Sequence, residues 1–179
     1  MTVSSEDPVQ LPNADDEARF WALVESAWEP LGPEPRAIRR ALAERDPAAG
    51  GVDIYAIDAS LPAFLDNLRT LGADLSSEEL TALDRVMERK LYDVDRADIH
   101  AVTDGSDDGF LYCRGHLVAL GREFYEAVRA NPALAVPDGE CESICYLFAH
   151  LHDKRFGGWP RTGSGISRES FSNTAGWRE

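Results

Sequence analysis

The chain has 179 residues, 44% of them hydrophobic, and a formal net charge of −14. That length and apolar content suit one domain with a real core and exclude wholesale disorder. The charge repels phosphate backbones and anionic lipid, so neither nucleic-acid nor membrane binding is expected, and it favours a basic protein partner or simply a solvated acidic surface.

Residues 1–13 are rich in Ser, Pro and acid and read as a disordered lead-in, ahead of an expected single α-helical domain over 14–179. Asp15 and Asp16 offer an N-cap and a favourable charge for a first helix, whose apolar stripe is Phe20, Trp21, Val24, Ala27 and Trp28. Pro30, Pro33 and Pro35 end it, and a short helix around Arg36–Glu44 follows with Ile38, Ala41 and Leu42 on one face. Val52–Ile57 alternates and is β-branched, which suggests a short strand for which the sequence shows no partner. Ser60 and Pro62 start a helix carrying Phe64, Leu65, Leu68 and Leu71. Ser76 and Glu79 have capping-box spacing, and the helix they open turns Leu80, Leu83, Met87 and Leu91 inward and Glu78, Arg85, Glu88 and Arg89 outward.

The acidic stretch Asp93–Asp108 leads into the longest expected helix, about Asp107 to Ala130. At about 100° per residue, Phe110, Cys113, Leu117, Leu120, Phe124 and Val128 share one sector of it. Asn131-Pro132 stops that helix, and a last one near Glu140–Lys154 buries Ile144, Leu147, Phe148 and Leu151. The tail from Gly157 is irregular and carries Arg161, Arg168 and Arg178, so it is expected to pack back across the acidic body. The resulting fold class is mainly α, a bundle of about five or six helices with at most a minor β element.

The candidate functional cluster is Asp104, Asp107, Asp108, Arg114, Arg122 and Tyr125. Asp107 and Asp108 first of all complement a helix N-terminus. Arg114 lies beside the apolar stripe and needs an acid or carbonyl partner, which Asp104, Asp107 or the tail could supply. The sharper alternative is a pocket in which Arg114 and Arg122 grip a carboxylate or phosphate.

No metal or cofactor is expected. The acidic stretch departs from the calcium-loop pattern, because Ala97 and Asp98 stand where Asp/Asn and Gly belong. Cys141 and Cys145 share a helix face that His150 does not, and a structural zinc site wants four ligands. Three cysteines in a domain of this size read as reduced core thiols. His116 sits about 60° around the helix from Cys113, so no nucleophile–base pair is evident. The start of the chain lacks a signal-peptide pattern and no apolar run reaches about 18 residues, so a cytoplasmic location is expected.

The run Gly105-Ser106-Asp107-Asp108-Gly109-Phe110, with Tyr112, Arg114, Leu117-Val118, Gly121-Arg122 and Tyr125 after it, resembles the "domain of unknown function 4240" proteins. The opening Phe20-Trp21-Ala22-Leu23-Val24 and the Ser167–Trp177 tail are similar as well. The resemblance implies a helical fold and a focal region, and no reaction.

Two functional readings follow. One is a non-catalytic binding or regulatory module, an immunity-like role included, whose acidic face of Asp93–Asp108 and Glu78–Glu88 meets a basic protein. The other is a small-molecule or peptide-modifying enzyme with a carboxylate and arginine site at the N-terminus of the long helix.

Overall fold

The computed structural model describes residues 8–103 and 105–178, and among them the regular structure is entirely helical. α1 (Ala14–Trp28) is opened by Asn13, whose side chain accepts from the Asp16 amide at 2.8 Å in a capping box. α2 spans Pro33–Glu44, α3 Leu61–Gly72 and α4 Ser77–Asp93. The Ser76–Glu79 capping box opens α4 as the sequence predicts. A short α5 (Ala97–His100) interrupts the acidic stretch. α6 (Asp107–Ala119), α7 (Arg122–Ala130), α8 (Glu142–Cys145) and α9 (Leu147–Phe156) complete the set.

The core lies where these helices meet: α4 packs on α9, α1 on α3 and α4, α6 on α8, and α2 on α7. The predicted stripes of α1, α4 and the Asp107–Ala130 segment are all buried, each large side chain contributing roughly 1.5–3 kcal/mol. Leu71 is an exception, since it is 40% exposed on α3.

Three expectations need correction. Val52–Ile57 forms turns; among the described residues there is no strand for it to pair with, and an isolated strand cannot satisfy its own backbone. The last expected helix breaks at Tyr146 into α8 and α9. The expected long helix also breaks, at Gly121 (φ +92°), between α6 and α7. A Cβ on Gly121 would stand 2.3 Å from Glu25 Oε1 and 2.7 Å from Arg39 Nη1. The break frees carbonyls that must find donors. Trp28 Nε1 donates to Ala119 O at 2.8 Å, and Arg39 Nη1 donates to Leu120 O at 2.9 Å while clasping Glu25 with both terminal nitrogens. The bend is therefore stitched shut from α1 and α2, and α6 carries its motif residues on a helix of 13 residues. Together these corrections raise the number of helices above the five or six expected.

Of the expected lead-in, residues 1–7 lie outside the described residues, and the Gln10 amide donates to Gly163 O at 2.8 Å. No described helix is long and apolar enough to cross a membrane.

Candidate functional site

The motif begins at the mouth of α6. Ser106 is the N-cap and accepts from the Gly109 amide at 3.0 Å. Asp107 and Asp108 follow in the first turn with exposed side chains, where their charge complements the helix dipole. Asp104 lies outside the described residues.

Two turns further on, Arg114 is fully buried. It donates to Leu91 O at 2.9 Å, to Arg168 O at 3.0 Å and to Ser170 Oγ at 3.0 Å, and its guanidinium lies over the Phe110 ring. Desolvation lowers its pKa from the usual arginine range. Ser170 in turn donates to Asp107 O at 2.6 Å, so Asp107 and Arg114 are joined through a tail serine. On α7, Tyr125 is also fully buried and its hydroxyl donates to Lys90 O at 2.7 Å. Burial pushes that phenol well above its ordinary value.

These contacts share one target. The last-turn carbonyls of a helix have no partner within it. At the end of α4, Tyr125 serves Lys90 O, Arg114 serves Leu91 O, and Asn173 Nδ2 serves Tyr92 O at 3.0 Å. A cation at a helix C-terminus also suits the dipole. Two members of the sequence-derived cluster thus cap α4.

Arg122 stands apart from them. It is exposed at the start of α7 and lines a groove of about 610 Å³ with Arg36, Arg39 and Arg40, faced by Glu25, Glu29, Glu123 and Glu126. The structure does not bring Arg114 and Arg122 into one pocket, because the Gly121 break redirects the chain between them.

The tail supplies the residues that the sequence reading missed. Arg168 is buried and donates to Asp84 at 2.9 and 3.2 Å, to Glu88 at 2.9 Å and to Cys145 O at 2.6 Å, the last being a carbonyl freed by the α8/α9 break. Asp84 is buried, and desolvation raises its pKa despite Arg168. Asp95 is also fully buried and accepts from the Phe171 amide at 3.0 Å, the Asn173 amide at 2.8 Å and Trp177 Nε1 at 3.0 Å. Asp84 carried a sequence signal, for it sits four residues after Leu80 and three before Met87, within the apolar sector of α4. The expected acidic face is largely spent this way: Asp95, Asp84 and Glu88 hold the tail, Asp93 pairs with Arg89 at 2.8 Å, and Asp98 pairs with Arg96.

All three cysteines are buried and unbridged. Burial pushes the thiols of Cys141 and Cys145 up to about 12, which suppresses the nucleophilic thiolate. His152 is held between Ser77 Oγ at 2.7 Å and Gly158 O at 2.6 Å, and the buried His116 lies 3.6 Å from Asp58. Among the described residues, no three His, Cys, Asp or Glu side chains are grouped to hold a metal ion.

A second groove, of about 650 Å³, runs between α3, α8 and α9, with Arg69 and Lys154 among its lining residues.

Fold and site together define a mainly helical protein in which a helix-opening Ser-Asp-Asp motif precedes an arginine that caps a neighbouring helix and holds the C-terminal tail. The chain belongs to the family described as "Protein of unknown function (DUF4240)", whose family model matches residues 52–153. That span includes α3 to α8 and the motif, and it leaves α1, α2 and the tail outside. Compared with curated proteins and with solved structures, the chain has no significant match.

Proposed function

We propose that this protein is a non-catalytic binding module whose acidic exterior engages a basic protein partner. The observation that carries this reading is the unequal burial of charge. Arg39, Lys90, Arg114 and Arg168 are buried, whereas Asp84 and Asp95 are the buried carboxylates among the described residues. Other arginines are pinned at helix ends, as where Arg45 donates to Leu42 O at 2.7 Å and Arg96 to Arg129 O at 3.1 Å. Folding therefore leaves an exterior more acidic than the net charge of −14 alone conveys. Asp107 and Asp108 are exposed within it and form no ion pair with a described residue. Such a field steers a cationic partner and rejects anionic ones. A toxin-neutralising role, in which an acidic protein covers a basic effector, falls in this class.

The enzyme reading draws less support, since the two terminal nitrogens of Arg114 and the hydroxyl of Tyr125 are committed to backbone carbonyls and a tail serine.

The test is affinity capture with the wild type and with an Asp107→Lys/Asp108→Lys variant, at low and high salt. The reading expects a basic protein that is held at low salt, released at high salt, and bound about tenfold more weakly by the variant. Recovered partners that are acidic, or that bind independently of salt, would overturn it.

A further inference from the structure

We infer that the groove between α3, α8 and α9 binds a small molecule that joins a planar ring to a phosphate or carboxylate. Its volume, about 650 Å³, lies in the range of small-molecule sites.

The electrostatics point to an anion. Arg69 reaches the groove from α3 and Lys154 from α9. Lys154 forms no ion pair among the described residues, and Arg69 shares only the exposed Asp66 at 2.8 Å, a pair of little energetic consequence. Glu142 is the carboxylate lining this groove, and it sits beside the Tyr112 hydroxyl, whose pKa is raised by desolvation and by that neighbour. Among the residues lining the groove two cations stand against one carboxylate, unlike the balance of the whole chain. The groove containing Arg122 has no such surplus, because four glutamates face its four arginines.

The rings point to a planar group. Tyr146 and His150 line the groove, and Trp159, outside its lining, packs against both, 5.6 Å from Tyr146 and 5.5 Å from His150 between ring centroids. These rings meet edge to face and form an aromatic cluster beside the cationic side chains. Trp159 is 54% exposed, a large apolar surface for a residue so close to a cavity. Tyr146 is preorganised, since its hydroxyl donates to Glu169 at 2.9 Å and Arg168 lies over its ring. A ligand ring would stack at the Trp159 end while its anionic group reached Lys154 and Arg69.

Adenosine monophosphate, adenosine, inorganic phosphate and indole-3-acetate are the probes, titrated calorimetrically into the whole protein. The expected result is saturable binding of adenosine monophosphate or indole-3-acetate, with adenosine and phosphate each at least about tenfold weaker. Lys154→Glu and Trp159→Ala should each weaken binding at least about tenfold, whereas Arg122→Glu should not. Lys154 is exposed, so its variant should unfold at the wild-type temperature without ligand, and Trp159→Phe, which keeps a ring against Tyr146 and His150, should retain most of the affinity. The inference is overturned if neither ring-bearing anion binds, if phosphate alone binds as tightly, or if Lys154→Glu leaves the affinity intact. Its failure would leave the basic-partner reading standing, because that reading is tested by protein capture.

Discussion

Arg114 Nη2 donates to the backbone carbonyl of Arg168 at 3.0 Å, while the side chain of Arg168 clasps Asp84 at 2.9 Å. The two arginines act in series: one fixes the path of the tail, and the other uses that path to neutralise a carboxylate in the core. Removing the first should therefore be costly. Arg114→Ala leaves Leu91 O and Arg168 O without their donor and should cost ~2–4 kcal/mol in urea unfolding. Arg114→Lys should restore only part of this, since an ammonium cannot reproduce the guanidinium fork. An unchanged midpoint for the alanine variant would show that these contacts do not contribute.

Arg168→Met should destabilise by ~3–5 kcal/mol, because Asp84 would remain buried with its main cation gone. Adding Asp84→Asn to the same protein should recover part of the loss, and a double-mutant cycle reads the coupling. Strict additivity would argue against a direct pair.

Gly115 is where α6 approaches α8. A Cβ there would stand 2.6 Å from both Cys141 O and Cys145 Sγ, and a backbone carbonyl cannot swing aside. Gly115→Ala should cost ~1–3 kcal/mol or more through overpacking, measured by thermal or urea unfolding. Gly121→Ala should add backbone strain of ~1–2 kcal/mol at φ +92° and displace the Glu25–Arg39 pair.

Stability should depend on pH through Glu79 and Asp84 with opposite signs. Arg19 and the Ser76 cap hold the Glu79 carboxyl down at about 2 against an ordinary 4.5. Its contribution is fully present above 4.5 and is lost as pH falls toward 2, so Glu79→Gln should flatten the acid limb of the unfolding profile. Asp84 is raised by desolvation, so the folded state binds its proton more readily than the unfolded chain does. Its contribution declines as pH rises from 3.8 through the raised value, and Asp84→Asn should remove that decline. Profiles of unchanged shape in both variants would contradict these assignments.

Cys141 and Cys145, with thiols pushed up to about 12, should resist alkylation in the native protein and react once it is unfolded. Mass-resolved iodoacetamide labelling with and without urea checks this. Rapid native labelling of either thiol would mean that the helix pair opens.

Local signals were legible in the sequence wherever one helix turn contained both partners. The Ser76–Glu79 box and the apolar stripe of α1 are read correctly because capping and amphipathicity depend on residues three or four apart. The break at Gly121 was not legible, since the Glu25–Arg39 pair that packs against that glycine comes from two other helices. Val52–Ile57 misleads in the same way, its β-branched alternation lacking any neighbour to pair with. Around the candidate site, the need of Arg114 for a partner followed from its place beside the apolar stripe, whereas Leu91 O and Ser170 did not. Arg168 looked like one tail cation among several, and only its meeting with Asp84, 84 positions earlier, gives it a distinct role.

The anchoring of the tail bears on how the chain folds as it is made. Asp84, Asp95 and Arg114 belong to α4, the turn after it, and α6, yet Asp84 and Asp95 receive donors, and Arg114 receives acceptors, from residues 168–177. Synthesis runs from the N-terminus, so the helices emerge before the groups that neutralise their buried charges. A nascent chain that stopped short of Arg168 would hold two desolvated carboxylates and a guanidinium without these partners. Native packing is in this way deferred until residues 168–177 leave the ribosome, and a chain cut before Arg168 would stay open to proteolysis.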